Sequence, residues 1–176
     1  MKHKLPLIAL LFISGAFLYL GAKVSTDYSH SADFGQYHTY SWLQVKAGND
    51  LWTDRIRRAV GNELMAKGWM EAPSGGQASV SAFGATQEQQ QLQTFYDGLG
   101  GGWFWHGFGG EGLATTTVEN IPVGTLVVDI FDSQTKKLLW RGNASETLSG
   151  DPEKNEKKLA HEVSDMFKHF PPKTGG

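Results

Sequence analysis

The chain has 176 residues, room for one hydrophobic core of ordinary size beside a short targeting segment. Hydrophobic residues make up 40% and charged residues 19%, a globular composition, while 22 glycines lie well above the usual ~7% and point to glycine-rich loops. It contains no cysteine, which excludes disulfides, thiolate metal sites and a cysteine nucleophile, so core packing alone must hold the fold.

Met1, Lys2, His3 and Lys4 form a short positive start, and residues 5–22 follow without a charge, which is signal-peptide grammar. This run of 18 residues approaches the ~20 that a spanning helix needs. Residues 1–22 therefore read as a signal peptide or as an uncleaved signal anchor, with the positive flank kept cytoplasmic either way. A cut after Ala16 would leave apolar Phe17 to Leu20 on the mature end, and a cut after Ala22 puts Leu20 at the minus-three position. Leu20, Gly21 and Ala22 approach a lipoprotein cleavage site, but Lys23 stands where the acylated cysteine belongs, so no lipid can be attached there. The expected address is the periplasm or the periplasmic side of the inner membrane, with membrane contact through residues 5–22 if they stay.

Residues 23–172 are expected to form a single α+β domain and residues 173–176 a flexible tail. Val24 to Trp42 is rich in β-branched and aromatic residues, which predicts strands at about 24–30 and 37–43 around a turn holding Asp33 and Gly35. Asn49 or Asp50 then offers an N-cap, Trp52, Ile56, Val60 and Leu64 recur every four residues, and Gly68 supplies a left-handed stop; a helix at about 51–67 follows. Residues 73–77 form a loop and residues 78–87 a strand. The polar run from Gln87 to Gln93 reads as an edge strand or hairpin region. From Gly98 to Gly112 the glycine density is too high to propagate a helix or a firm strand.

Gly124 to Asp132 and Lys137 to Gly142 predict a hairpin. A register pairing Phe131 with Leu139 puts Leu126, Val128, Ile130, Leu138 and Trp140 on one buried face. The other face then sets Asp129 opposite Arg141, a structural cross-strand ion pair worth at most about 1 kcal/mol if exposed. The last helix is capped by Asp151, carries Pro152 in its first turn, shows an apolar stripe of Leu159, Val163, Met166, Phe167 and Phe170, and is stopped by Pro171 and Pro172. Hairpin rather than crossover connections around the best strands favour a mostly antiparallel sheet with two helices packed on one face.

These stretches also carry a family resemblance. Thr26-Asp-Tyr-Ser with Tyr37-His-Thr-Tyr-Ser-Trp42, Asp54-Arg-Ile-Arg with Lys67-Gly-Trp69, Gly124 to Asp132 with Leu139-Trp-Arg-Gly142, and Met166 to Pro172 together resemble the bacterial envelope proteins of domain-of-unknown-function family 4136. The third is the most specific. The resemblance implies an envelope location and one compact α+β domain, and it implies no activity. Many members are lipoproteins, and this chain departs from those in lacking their cysteine.

No motif assigns chemistry. His30 and His38, and His161 and His169, are each eight apart, not the i, i+4 spacing of a helical zinc site, and read as surface histidines. Asp27, Asp33, Asp129 and Asp132 are the carboxylates available to a glycosidase pair or a hard-cation site, but spacing cannot set their separation. The glycine-rich segment lacks the Gly-Lys-Ser/Thr end of a phosphate loop. It interleaves Trp103, Phe104, Trp105 and Phe108 with glycine, which suits a loop touching a membrane surface, a glycan or an envelope protein, unless the rings fold back on the sheet or the segment is a disordered insert. Without Lys2 and Lys4, 14 basic residues face 18 acids, a net charge of -4, and the basic runs Arg55, Arg57, Arg58 and Lys154, Lys157, Lys158 lie on amphipathic helices. Nucleic acid is thereby disfavoured as a partner. The expectation is a non-catalytic envelope module without a cofactor, binding through one sheet face or the aromatic loop; the alternative is a carboxylate-based hydrolase or glycan-processing enzyme.

Overall fold

Six strands and two long helices follow one another in the computed structural model of the chain, which describes residues 23–86 and 123–173. In chain order they are β1 (Lys23–Tyr28), β2 (Thr39–Lys46), α1 (Asp50–Ala66), β3 (Met70–Glu71), β4 (Ala78–Ala85), β5 (Val123–Asp132), β6 (Leu138–Thr147) and α2 (Pro152–Phe167). The predicted N-terminal segment, the Gln87 to Gln93 run and the aromatic loop with Trp103, Phe104, Trp105 and Phe108 lie outside the described residues.

The strands form one mixed, mostly antiparallel sheet in the order β1-β6-β5-β4-β2-β3, so the fold class is α+β as expected. Two features of its topology differ from the sequence expectation. The strands flanking the Asp33 turn are not neighbours: β1 pairs antiparallel with β6 at one edge, whereas β2 pairs with β4 and β3. The intervening segment reverses the chain without closing a hairpin, because its aromatic residues are drawn into the core. Phe34 packs edge-on against Phe170, Tyr37 stacks on Trp69, and the Tyr37 hydroxyl donates to Asp132 at 2.7 Å, so the chain is carried across the end of the sheet. In addition, α1 makes a crossover between β2 and β4, which are therefore parallel.

Both helices begin where their sequence dictates, whereas α2 ends at Phe167, so Phe170 of the expected stripe packs on Phe167 from beyond the helix. The Asn49 side chain accepts from the Trp52 N–H at 3.0 Å, and Asp151 accepts from the Glu153 N–H at 2.9 Å, each satisfying a first-turn donor. Gly68 at φ 84° lets the chain leave α1 in the left-handed conformation. Ile56, Val60 and Leu64 of α1 and Leu159, Val163, Met166 and Phe167 of α2 are buried in one cluster with Val80, Ala82, Leu126, Val128, Ile130 and Trp140 of the sheet. Both helices thus cover the same face, and Arg55 of α1 bridges to Glu156 of α2 at 3.0 Å.

The β5–β6 hairpin has the expected register as far as Ile130 opposite Trp140, with Asp129 opposite Arg141. There it shifts, and Phe131 pairs with Leu138. Leu139 is the extra residue of this bulge and joins the core cluster, while Leu138 falls outside it, correcting the expected face. β6 also runs beyond Gly142 to Thr147.

Candidate functional site

The helical layer is filled unevenly. At the sheet end where β2 begins, Phe34, Tyr37, Trp69, Trp140, Phe167 and Phe170 pack ring to ring, with Trp140 and Phe167 centroids 4.9 Å apart. At the other end, where β2 and β4 finish and β5 starts, the residues facing the helices are small. Ala47, Gly84, Ala85 and Gly124 line the floor of a crevice of about 270 Å³ between α1 and α2, walled by Trp52, Ile56, Leu126, Leu148 and Leu159.

Besides the polar Asn49, Thr86, Thr125 and Asn155, three charged side chains line this space: Glu146 from the end of β6, and Lys158 and Glu162 from successive turns of α2. Lys158 Nζ donates to Glu146 Oε1 at 3.1 Å and to the Thr147 carbonyl at 2.7 Å, so these two charges neutralise each other. Glu162 is only 7% exposed, and its Oε1 is buried with no hydrogen-bond partner. Burial and the neighbouring Glu146 charge push its carboxyl from 4.5 up to about 7, against the opposing pull of Lys158 and His161. Asn155, one turn further from the core, is also buried but fully engaged: its Oδ1 accepts from the Ser149 N–H at 2.8 Å and its Nδ2 donates to the Ser149 carbonyl at 2.8 Å.

A second hollow, about 380 Å³, lies between the outer side of α1 and β3 beside exposed Met65 and Met70. Within it Tyr40 donates to Glu71 at 3.3 Å and Arg57 lies 4.0 Å from the same carboxylate. Among the described residues Trp42 Nε1, Ser81 Oγ and Glu162 Oε1 are buried without a hydrogen-bond partner, and of the two hollows the inter-helix crevice is the one lined by such an atom, Glu162 Oε1.

Of the acids singled out in the sequence, Asp27 and Asp129 both stand opposite Arg141, on β1 and β5, and Asp33 and Asp132 lie at turns. Asp27 is exposed on edge strand β1, and Asp33 accepts from the Gly35 N–H at 3.0 Å within its turn. Asp132 ties down the β5–β6 turn by accepting from the Thr135 N–H at 2.6 Å and the Gln134 N–H at 2.9 Å. Burial raises its carboxyl, but the hydrogen bonds from Thr135, Tyr37 and Gln134 outweigh that and hold it below its usual value. None of these lines the crevice.

Asp129 and Arg141 pair as expected, but in the interior. Arg141 Nε donates to one carboxylate oxygen at 2.6 Å and its Nη2 to the other at 2.5 Å, with Asp129 fully buried. They lie on the sheet face opposite the helices, together with buried Ser81, Phe83, Val127 and Phe131. Burial pushes the Asp129 carboxyl up, and the hydrogen bonds and charge of Arg141 pull it back. Both faces of the central strands are therefore buried. His161 is exposed on α2, 3.6 Å from Asp165.

Sequence reasoning missed Glu162 although a signal was present. It stands three residues after Leu159 and four before Met166, on the same face of the helix as both. A lone acid in an apolar stripe marks a buried carboxyl.

The described residues define a small α+β protein with one mixed sheet, two helices on one face and a ligand-sized crevice between them. The family model described as a domain of unknown function (DUF4136) matches residues 24–172, and the chain belongs to that family. Among solved structures it is similar to a PDZ domain protein from Parabacteroides distasonis, with a TM-score of 0.56, 16% identity, 89% of this chain covered and only 37% of that one. It is also similar to a DUF4136 family protein from Bacteroides thetaiotaomicron, with a TM-score of 0.55, 15% identity and coverage of 86% and 96% respectively. A weaker likeness, TM-score 0.45 at 16% identity over 82% of this chain and 97% of the other, is to the PelC dodecamer from Paraburkholderia phytofirmans. No curated protein matches the chain.

Proposed function

We propose that this protein is a non-catalytic module of the bacterial cell envelope that binds a small ligand in the crevice between α1 and α2. The observation that carries the reading is Glu162: a buried carboxyl with a partnerless oxygen, lining an apolar hollow whose other charges are already paired. A buried polar group without a partner costs on the order of 1–3 kcal/mol. A ligand that donates to it would offset that cost. The uncharged run at residues 5–22 behind a basic start supports the envelope address.

Native mass spectrometry on full-length protein released gently from envelope fractions tests this. The wild type should carry a non-covalent adduct, and Ala47→Trp, which plugs the crevice, should not. Bare protein in both samples would overturn the reading. Partner contact by Trp103, Phe104, Trp105 and Phe108 is a separate proposal, read out by in-cell crosslinking. The Trp103→Ala, Trp105→Ala double variant should fold normally and lose the crosslinked species.

One observation favours a second reading, a carboxylate-based hydrolase. Glu146 and Glu162 line the same crevice, and a carboxyl near 7 suits a general acid. Against it, the Glu146 charge is held by Lys158 rather than left to a nucleophile or to water. Release of reducing ends from envelope glycan, abolished by Glu162→Gln, would put this reading first.

A further inference from the structure

We infer that the ligand of the inter-helix crevice presents a primary ammonium group on a short apolar body, with the ammonium donating to Glu162. The inference rests on the binding role proposed for this crevice and names the chemistry that would fill it.

Charge balance decides the sign. Lys158 is 3.1 Å from Glu146 and bound as well to the Thr147 carbonyl, so its ammonium is spent. Glu162 is the surplus group, and the ionised site carries one net negative charge. An anionic ligand would meet two carboxylates and an ammonium already committed. A neutral ligand would leave a charge buried or force the carboxyl to stay protonated. A cation that enters supplies the missing partner, and an N–H donor reaches the oxygen that has none.

Shape decides the rest. Trp52, Ile56, Leu126, Leu148 and Leu159 offer an apolar wall of a size for a short hydrocarbon chain or a small ring. A bare metal ion is disfavoured because Lys158 already engages Glu146, which leaves Glu162 as the one uncommitted carboxylate of the crevice where a hard cation gathers several oxygen ligands.

Proton linkage supplies an independent readout. The groups around the carboxyl are Glu146 from β6 and Lys158 and His161 from α2; on the α1 side Arg55 is engaged by Glu156. Because the empty site holds its proton up to about pH 7, a cation must displace it, and binding below neutrality releases a proton.

Calorimetric titration of the full-length protein with n-butylammonium, n-butanol and butyrate makes the test, with the Trp52 indole resonance reporting occupancy. The ammonium should bind at least tenfold more tightly than the alcohol at pH 8, and its affinity should fall about tenfold by pH 6. Titrations at pH 6 in two buffers of different ionisation enthalpy should show proton release. Glu162→Gln should bring ammonium and alcohol to equal affinity. If that variant is poorly folded, the wild-type pH and buffer dependence carries the test alone. Alcohol binding as tight as ammonium would overturn the inference while leaving the crevice a binding site. Tighter butyrate would overturn it and make Lys158 the available charge. Silence of Trp52 toward all three would overturn the ammonium inference and count against the crevice as the ligand site.

Discussion

Two residues show how burial turns an ordinary charge into a property of the fold. Glu162 holds its proton up to about 7 in the folded chain, against 4.5 for an exposed glutamate. The folded state thus binds the proton more tightly than the unfolded one. Its stabilising contribution is fully present below about pH 4.5 and is lost as pH rises through about 7, by no more than about 3 kcal/mol. Chemical denaturation across pH 4.5 to 8 should show wild type losing stability relative to Glu162→Gln, which has no proton to lose. A constant difference between the two would contradict the account. The Asp129–Arg141 pair makes the complementary case: in the interior its bidentate geometry binds each charge to the other. Asp129→Ala strips a buried guanidinium of its bidentate carboxylate and should cost about 3–5 kcal/mol by urea denaturation, whereas Asp129→Leu with Arg141→Met should recover most of the loss.

At the level of elements, the glycines of the helix-facing sheet surface decide how closely the layers approach. A methyl group at Gly142 would run into the Met166 side chain and the Trp140 ring. Gly142→Ala is therefore expected to cost about 1–3 kcal/mol, and less in a Met166→Ala background, a non-additivity that a double-mutant cycle of unfolding free energies would display. Both helices and their caps were legible in the sequence, because four-residue apolar spacing and a capping Asn49 or Asp151 are local signals. The Asp129–Arg141 register was legible for the same reason. The slip at Leu139 was not, since a bulge depends on how Trp140 seats against Phe167 and Phe170, contacts that lie beyond the hairpin. The separation of β1 from β2 was hidden likewise: Phe34 and Tyr37 look like strand aromatics until their partners Phe170 and Trp69, from distant parts of the chain, are in place. As for the crevice, an acid among Leu159, Val163 and Met166 was readable, but its meeting with Glu146 required the fold.

For the whole molecule, the register fixes which end of the sheet carries what. Lys23, where the described chain begins, pairs with Ser145; Phe83 pairs with Lys46; and Val123 pairs with Thr147. The crevice, lined by Ala47, Gly48, Ala85, Gly124 and Glu146, is therefore at the same end as the junction with residues 1–22. The β5–β6 turn, held by Asp132, is at the opposite end. A ten-residue strand is about 30 Å long, enough to separate the two ends by fluorescence. If residues 5–22 remain as a membrane anchor, the crevice opens on the bilayer side. With no native cysteine to interfere, Gly48→Cys at the crevice rim and Gln134→Cys at the far turn can each carry a single donor dye; both positions are exposed, and a side chain at Gly48 meets nothing within 4 Å. In vesicles bearing a headgroup acceptor, the Gly48 donor should be quenched strongly and the Gln134 donor weakly. Equal quenching would mean that the domain does not stand on this end. It would also separate the crevice from the membrane as a source of its ligand.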